Sequence, residues 1–154
     1  MKKTKKVLLV SSAGGHLLQL LNIYKSLDKD HDFCWVSFKY NFVDSLLNNE
    51  KVYYAYEPTN RNLLNLFKNI FLATKVFYKE KPDIIISTGA GIALPFLLLG
   101  FISNKKNIYV ESISRINSPS LTGKIVYYLS NDFFIQWPEI QKYFPKSKYG
   151  GKLL

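Results

Sequence analysis

The sequence predicts an α/β domain built on a doubly wound parallel sheet, and three observations carry that expectation. Short, continuous apolar runs rich in β-branched residues recur along the chain, the pattern of strands buried on both faces. Between them lie segments with apolar residues at helical spacing, which is how parallel strands must be connected. Two glycine clusters, Gly14-Gly15 and Gly89-Ala90-Gly91, fall where a strand hands over to a helix. A chain of 154 residues is of single-domain size, and no repeat, low-complexity tract or linker divides it, so residues 1–154 read as one domain.

Taken in order, Val7 to Ser12 is a β-branched apolar run that stops at Ala13-Gly14-Gly15, and His16 to Leu27 follows as a helix with Leu17, Leu20, Leu21, Tyr24 and Leu27 in register. Asp32 to Phe38 reads as the second strand, Phe42 to Leu47 as a short helix, and Val52 to Tyr56 as a third strand ended by Pro58. Leu63 to Tyr78 should form a long helix stopped before Pro82, with an apolar face broader than a core alone requires. Asp83 to Thr88 is the next strand. Ile108 to Glu111 is the fifth, Leu121 to Leu129 a helix, Asp132 to Gln136 the sixth strand, and Glu139 to Tyr143 a last short helix.

The uncharged run from Ile84 to Asn104 is long enough for a membrane helix of about 20 residues. Its punctuation argues otherwise: Ser87-Thr88-Gly89-Ala90-Gly91 and Pro95 interrupt it where a strand should turn into a helix, leaving Ile92 to Ile102 as a core or interfacial helix too short to span.

Composition narrows the function classes. With 47% apolar and 21% charged residues the bulk of the chain is not disordered. One cysteine, Cys34, cannot form an internal disulfide, which favours a reducing, cytoplasmic setting. The 21 cations exceed the 11 anions by ten, a balance suited to an anionic partner. Only Arg61 and Arg115 are arginines, so the guanidinium forks that read nucleic acid are scarce, and no nucleic-acid partner is expected. Lysines at 2, 3, 5, 6, 75, 79, 81, 105 and 106 stand among Leu, Phe, Ile and Tyr, as they would on a surface meeting an anionic membrane leaflet.

Ligands of doubly wound sheets sit at the carboxyl ends of the strands, where both glycine clusters are expected. Ser12-Ala13-Gly14-Gly15-His16 opens a helix, so its backbone N–H groups could take a phosphate, with His16 as a base or hydroxyl-orienting group. A tight turn with His16 capping the helix is the plainer alternative. The cluster is neither a dinucleotide fingerprint nor a P-loop. Ser87-Thr88-Gly89-Ala90-Gly91 repeats the arrangement, and Glu111 ends a strand facing the same crevice, free to hold a hydroxyl, take a proton or pair with Arg115. Neither metal-ligand spacing nor a Ser-His-Asp pattern is present, so no metal is expected.

In order along the chain, S-S-A-G-G-H at 11 to 16, S-T-G-A-G at 87 to 91, E-S-I-S-R at 111 to 115, S-L-T-G-K at 120 to 124, Q-W-P at 136 to 138 and Y-G-G at 149 to 151 resemble one family. It is the small, membrane-recruiting subunit of two-component glycosyltransferases, known from the eukaryotic UDP-GlcNAc transferase of lipid-linked oligosaccharide synthesis and from bacterial capsule and exopolysaccharide proteins. The resemblance implies a Rossmann-like domain equivalent to the N-terminal half of a GT-B glycosyltransferase. It further implies that the UDP-sugar donor sits on a separate catalytic partner, with no cofactor on this chain. Ser12, Gly14, Gly15, Thr88, Gly89, Ala90, Gly91 and Arg115 would bind the diphosphate of a lipid-linked acceptor, and His16 and Glu111 would stand at the acceptor hydroxyl. Tyr149, Gly150, Leu153 and Leu154 would dock on the partner. Eukaryotic members carry an amino-terminal membrane helix, whereas here only Met1 to Lys6 precede Val7, so attachment to the cytoplasmic face of the membrane is expected to be peripheral or through the apolar segments lying in the interface. An adaptor whose glycine turns bind nothing is the competing reading.

Overall fold

A computed structural model describes residues 4–59 and 62–153; Lys2, Lys3, Arg61 and Leu154, all named above, lie outside them. Within these residues the chain forms one seven-stranded sheet, every pairing parallel, in the order β3-β2-β1-β4-β5-β6-β7. The strands are β1 (Lys6–Ser11), β2 (Asp32–Phe38), β3 (Val52–Ala55), β4 (Ile84–Gly89), β5 (Lys106–Val110), β6 (Asp132–Ile135) and β7 (Lys148–Tyr149). The helices are α1 (Gly15–Ser26), α2 (Asn41–Leu46), α3 (Leu63–Glu80), α4 (Ala93–Ile102) and α5 (Leu121–Val126).

Alternation along the strands feeds two cores. Val7 and Leu9 of β1, Trp35 of β2 and Ile86 of β4 meet Leu17 and Leu20 of α1 and Val43 and Leu47 at α2. Their neighbours Leu8, Val10, Val36 and Ile85 face the other way, onto Ala73, Val76 and Phe77 of α3 and Ala93, Phe96 and Leu97 of α4. Cys34 lies in this second core, where burial pushes its thiol up to about 12, so it is inert packing.

Three details differ from the sequence reading. The region expected to be helical to Leu129 leaves the α-helix after Val126 and ends in a 3₁₀ turn over Tyr127–Leu129; Pro138–Tyr143 is likewise 3₁₀. A seventh short strand forms because Gly150 N–H donates to the Ile135 carbonyl at 3.1 Å and extends the β6 edge. The inward face of α3 is the third. Only Ala73, Val76 and Phe77 of its large apolar set are buried, and they share the inward face with Asn65, Asn69 and Glu80.

Those inward polar residues fix the β3–α3 connection. Asn69 accepts from Tyr56 N–H and donates to the Tyr56 carbonyl, both at 2.8 Å, and the Asn65 amide donates to the Pro58 carbonyl. Glu80 is gripped by the Tyr53 hydroxyl, Lys51 at 2.8 Å and Lys6 at 3.4 Å. Burial would raise its carboxyl, but these hydrogen bonds and charges win and hold it below the ordinary range. Asn69→Ala removes the partner of both backbone groups of Tyr56 at a part-buried site and is expected to lower stability by about 1–2 kcal/mol, read as a shifted denaturation midpoint at unchanged slope.

Among the described residues, two helices, α1 and α2, cover the sheet on the α1 face. Beyond α1 they leave an apolar hollow of about 250 Å³, lined by Ile23, Ile108, Val110 and Phe134 and, from the carboxyl-terminal segment, by Gly151 and Leu153.

Candidate functional site

Strand order reverses between β1 and β4, because the chain builds outward from β1 to β3 and then returns to the other side of β1. Helices starting on opposite faces open a crevice at such a point. A cleft of about 800 Å³ lies there, bordered by Ser12, His16, Ala90, Gly91, Glu111 and Arg115. In α1 the first helical bond runs from Leu18 N–H to the Gly14 carbonyl, so the N–H groups of Gly15, His16 and Leu17 have no helical acceptor. Helix α4 begins next to them after Gly91, and the two positive helix ends converge on the cleft.

Two strand ends are locked together by His16 and Thr88. The His16 Nδ1 lies 2.7 Å from the Thr88 carbonyl, and the Thr88 hydroxyl donates to the His16 carbonyl, also at 2.7 Å. A carbonyl only accepts, so Nδ1 carries the proton and a neutral ring keeps its lone pair on Nε2. Thr88 is thereby removed from the ligand-binding set: its side chain is wholly buried and its hydroxyl donated within the chain. Gly89 has a similar role. Its φ is +126° and a Cβ there would stand 2.8 Å from the His16 ring, so the residue makes room for the imidazole. Gly14, at φ +82°, shapes the first turn, while Ala90 and Gly91 border the cleft.

Glu111 is fully buried at the cleft floor, immediately after β5. Its carboxylate accepts from Ser112 N–H at 3.0 Å, Ser120 N–H at 3.2 Å and the Ser120 hydroxyl at 2.9 and 3.0 Å. Ser120 in turn accepts from Gly123 N–H at the start of α5, and a Cβ on Gly123 would lie 1.9 Å from the carboxylate. The pairing with Arg115 considered from sequence is replaced by this serine clasp; Arg115 stands exposed at the cleft rim. Tyr109, also in the lining, is buried, and burial with the nearby Glu111 pushes its phenol far above the ordinary range, so it presents a neutral hydroxyl.

Behind the floor, a buried chain of amides reaches the carboxyl-terminal segment. The Gln136 amide donates to Gln19 Oε1 and, at 2.9 Å, to the Glu111 carbonyl; its own oxygen accepts from Leu153 N–H at 2.7 Å. Gln19 donates to the Gly15 carbonyl at 3.2 Å. Leu153 and Gly150 are thus turned onto this chain's own sheet, whereas Tyr149 is exposed. Sequence reading overlooked Gln19, Ser120 and Tyr109 as site residues. Only Ser120 carried a local signal, a serine three residues before the first-turn Gly123. Among the described residues, no group of three or more His, Cys, Asp or Glu is gathered to hold a metal, and no helix is long and apolar enough to cross a membrane.

The fold and the position of the cleft define a Rossmann-like domain of the kind that forms the N-terminal half of GT-B glycosyltransferases. It superposes on Acinetobacter baumannii MurG with a TM-score of 0.73, at 18% identity over 88% of this chain and 42% of that one. A UDP-N-acetylglucosamine 2-epimerase from Rickettsia bellii gives 0.71 at 15% identity, covering 98% and 44%. This chain therefore spans less than half the length of either structure. Residues 7–153 match the family model of Alg14-like oligosaccharide biosynthesis proteins, and the chain belongs to that family. The human UDP-N-acetylglucosamine transferase subunit ALG14 is 29% identical over 183 aligned residues, covering 99% of this chain and 85% of the relative.

Proposed function

We propose that this chain is the acceptor-side subunit of a two-component UDP-sugar transferase, inactive alone, which binds a polyprenyl-diphosphate-linked sugar at a membrane surface and completes the active site of a donor-binding partner. The observation that carries the reading is the convergence of two helix amino termini and a tautomer-fixed His16 on one cleft, in a member of the Alg14-like family. The helix starts of α1 and α4, with Ser12 and Arg115, suit a diphosphate. Gly14, Gly15, Ala90 and Gly91 supply the backbone for that contact.

In this reading the acceptor hydroxyl oxygen attacks the anomeric carbon of the sugar while the carbon–oxygen bond to the UDP diphosphate breaks. His16 Nε2 takes the hydroxyl proton, and Thr88 holds the ring for that transfer. Glu111 supports the floor from beneath through Ser120. The exposed Tyr149 and the apolar hollow beside Gly150 and Leu153 form the surface for the partner. The UDP-sugar binds to that partner, and the complex works on the cytoplasmic face. Acceptors of the capsule, exopolysaccharide and lipid-linked oligosaccharide classes all satisfy this chemistry.

The test is transfer of labelled sugar from UDP-GlcNAc, UDP-Glc or UDP-Gal to lipid-linked acceptors with this chain, its partner, or both. Transfer should require both chains, and His16→Ala should lower it about a hundredfold or more without loosening the complex. Unchanged transfer with both His16→Ala and Glu111→Ala would leave only the adaptor reading.

A further inference from the structure

Helix α3 is amphipathic in the wrong direction for a helix that serves only the core. Its outward stripe is Leu63, Phe67, Phe71, Thr74 and Tyr78, at spacings of three to four residues, whereas Asn65, Asn69 and Glu80 face inward. Phe67, Phe71 and Tyr78 are 67%, 73% and 70% exposed. The inward polar groups are satisfied by the β3–α3 loop, Tyr53, Lys6 of β1 and Lys51 just before β3, so the outward apolar residues are not a defect of packing. The surface continues. α4 packs beside α3 and exposes Phe101 and Ile102, and beyond it α5 exposes Leu121 and the following 3₁₀ turn exposes Tyr128. An exposed apolar surface of this extent marks an interaction site.

From this surface we infer that the α3–α4 face lies in the interfacial layer of an anionic lipid leaflet. Charge chooses the occupant: Lys68, Lys75 and Lys79 line one flank of the stripe, and no acidic residue stands on the exposed face of α3. Lysine stems beside buried phenylalanines, with ammonium groups at headgroup level, are the pattern of interfacial helices. A protein partner would not need the flanking cations; an anionic leaflet does.

The geometry also orients the cleft. Helix α3 starts at the carboxyl end of the sheet, where Leu66 borders the cleft together with Leu94, Leu121 and Ile125. An apolar rim therefore runs from the leaflet to the site, the path a prenyl chain would follow to bring its diphosphate to Arg115 and the helix starts. This orientation rests on the acceptor-site reading; membrane binding does not.

The experiment is flotation of the full chain, without donor or partner, on vesicles of phosphatidylcholine with and without phosphatidylglycerol. The chain should float with the anionic vesicles. Phe67→Ser with Phe71→Ser should lower partitioning more than about tenfold. Lys68→Glu with Lys75→Glu should cut the phosphatidylglycerol-dependent part by about tenfold or more. Leu18→Ser, on the exposed side of α1, should change neither, and unaltered melting would show all variants folded. Failure of the folded chain to float overturns the inference, as do stripe variants that float undiminished or that instead convert a dimer of this chain to a monomer. Transfer to a short-chain, water-soluble acceptor separates the two readings: lost flotation with retained transfer overturns the membrane face alone, and retained flotation without transfer overturns the cleft reading alone.

Discussion

Gly89→Ala is expected to lower stability by about 3 kcal/mol and to abolish transfer by the complex. Two costs combine at this position. The backbone stands at φ +126°, where an L side chain is strained, and the new Cβ would lie 2.8 Å from His16 Cε1 and 3.0 Å from Nδ1. The imidazole cannot retreat without losing its 2.7 Å bond to the Thr88 carbonyl, so the substitution dislodges the ring as well as straining the turn. The two costs separate in a double-mutant cycle. Adding His16→Ala removes the steric part and should recover more than about 1 kcal/mol, while the backbone strain remains and transfer stays lost. Strictly additive losses, measured by chemical denaturation, would mean that Gly89 and His16 do not oppose each other across the cleft.

Glu111→Leu should cost about 4 kcal/mol, because three donors, Ser112 N–H, Ser120 N–H and the Ser120 hydroxyl, lose their acceptor in a fully buried place. Glu111→Gln keeps the shape and one acceptor oxygen and should cost about 1–2 kcal/mol. Activity then distinguishes a clasp from a proton carrier: if Glu111 only positions the floor, the Gln variant keeps the shape of the pH–rate profile and loses rate modestly. A profile that loses one limb would move the proton-transfer role to Glu111. Gly123 belongs to the same unit, since a side chain there would meet the carboxylate at 1.9 Å.

These two results concern features that were unequally legible in the sequence. The glycine clusters were visible as turns at strand ends, and the carboxyl-end rule located the cleft. What each residue does inside it was not visible. Thr88 and Gly89 read as ligand-binding backbone and turn out to hold and make room for His16; Glu111 read as a carboxylate at the acceptor hydroxyl, free to take a proton or pair with Arg115, and is clasped by Ser120. Each reassignment depends on where strands β1, β4 and β5 stand relative to one another, which no local window contains. The α3 helix makes the same point about surfaces. Its composition announced a broad apolar face, but the choice of inward side went to Asn65, Asn69 and Glu80, whose partners lie in or beside β1 and β3.

By itself the sequence determined the alternation of strand and helix, the parallel sheet and the turn positions, because these follow from periodicity and backbone preference within a few residues. Tertiary structure decided the tautomer of His16, 72 residues from its partner, and the amide chain from Gln19 to Gln136, 117 residues apart. It also decided the outward turn of Phe67 and Phe71. Such contacts are chosen by strand order and register, which depend on packing the whole sheet at once.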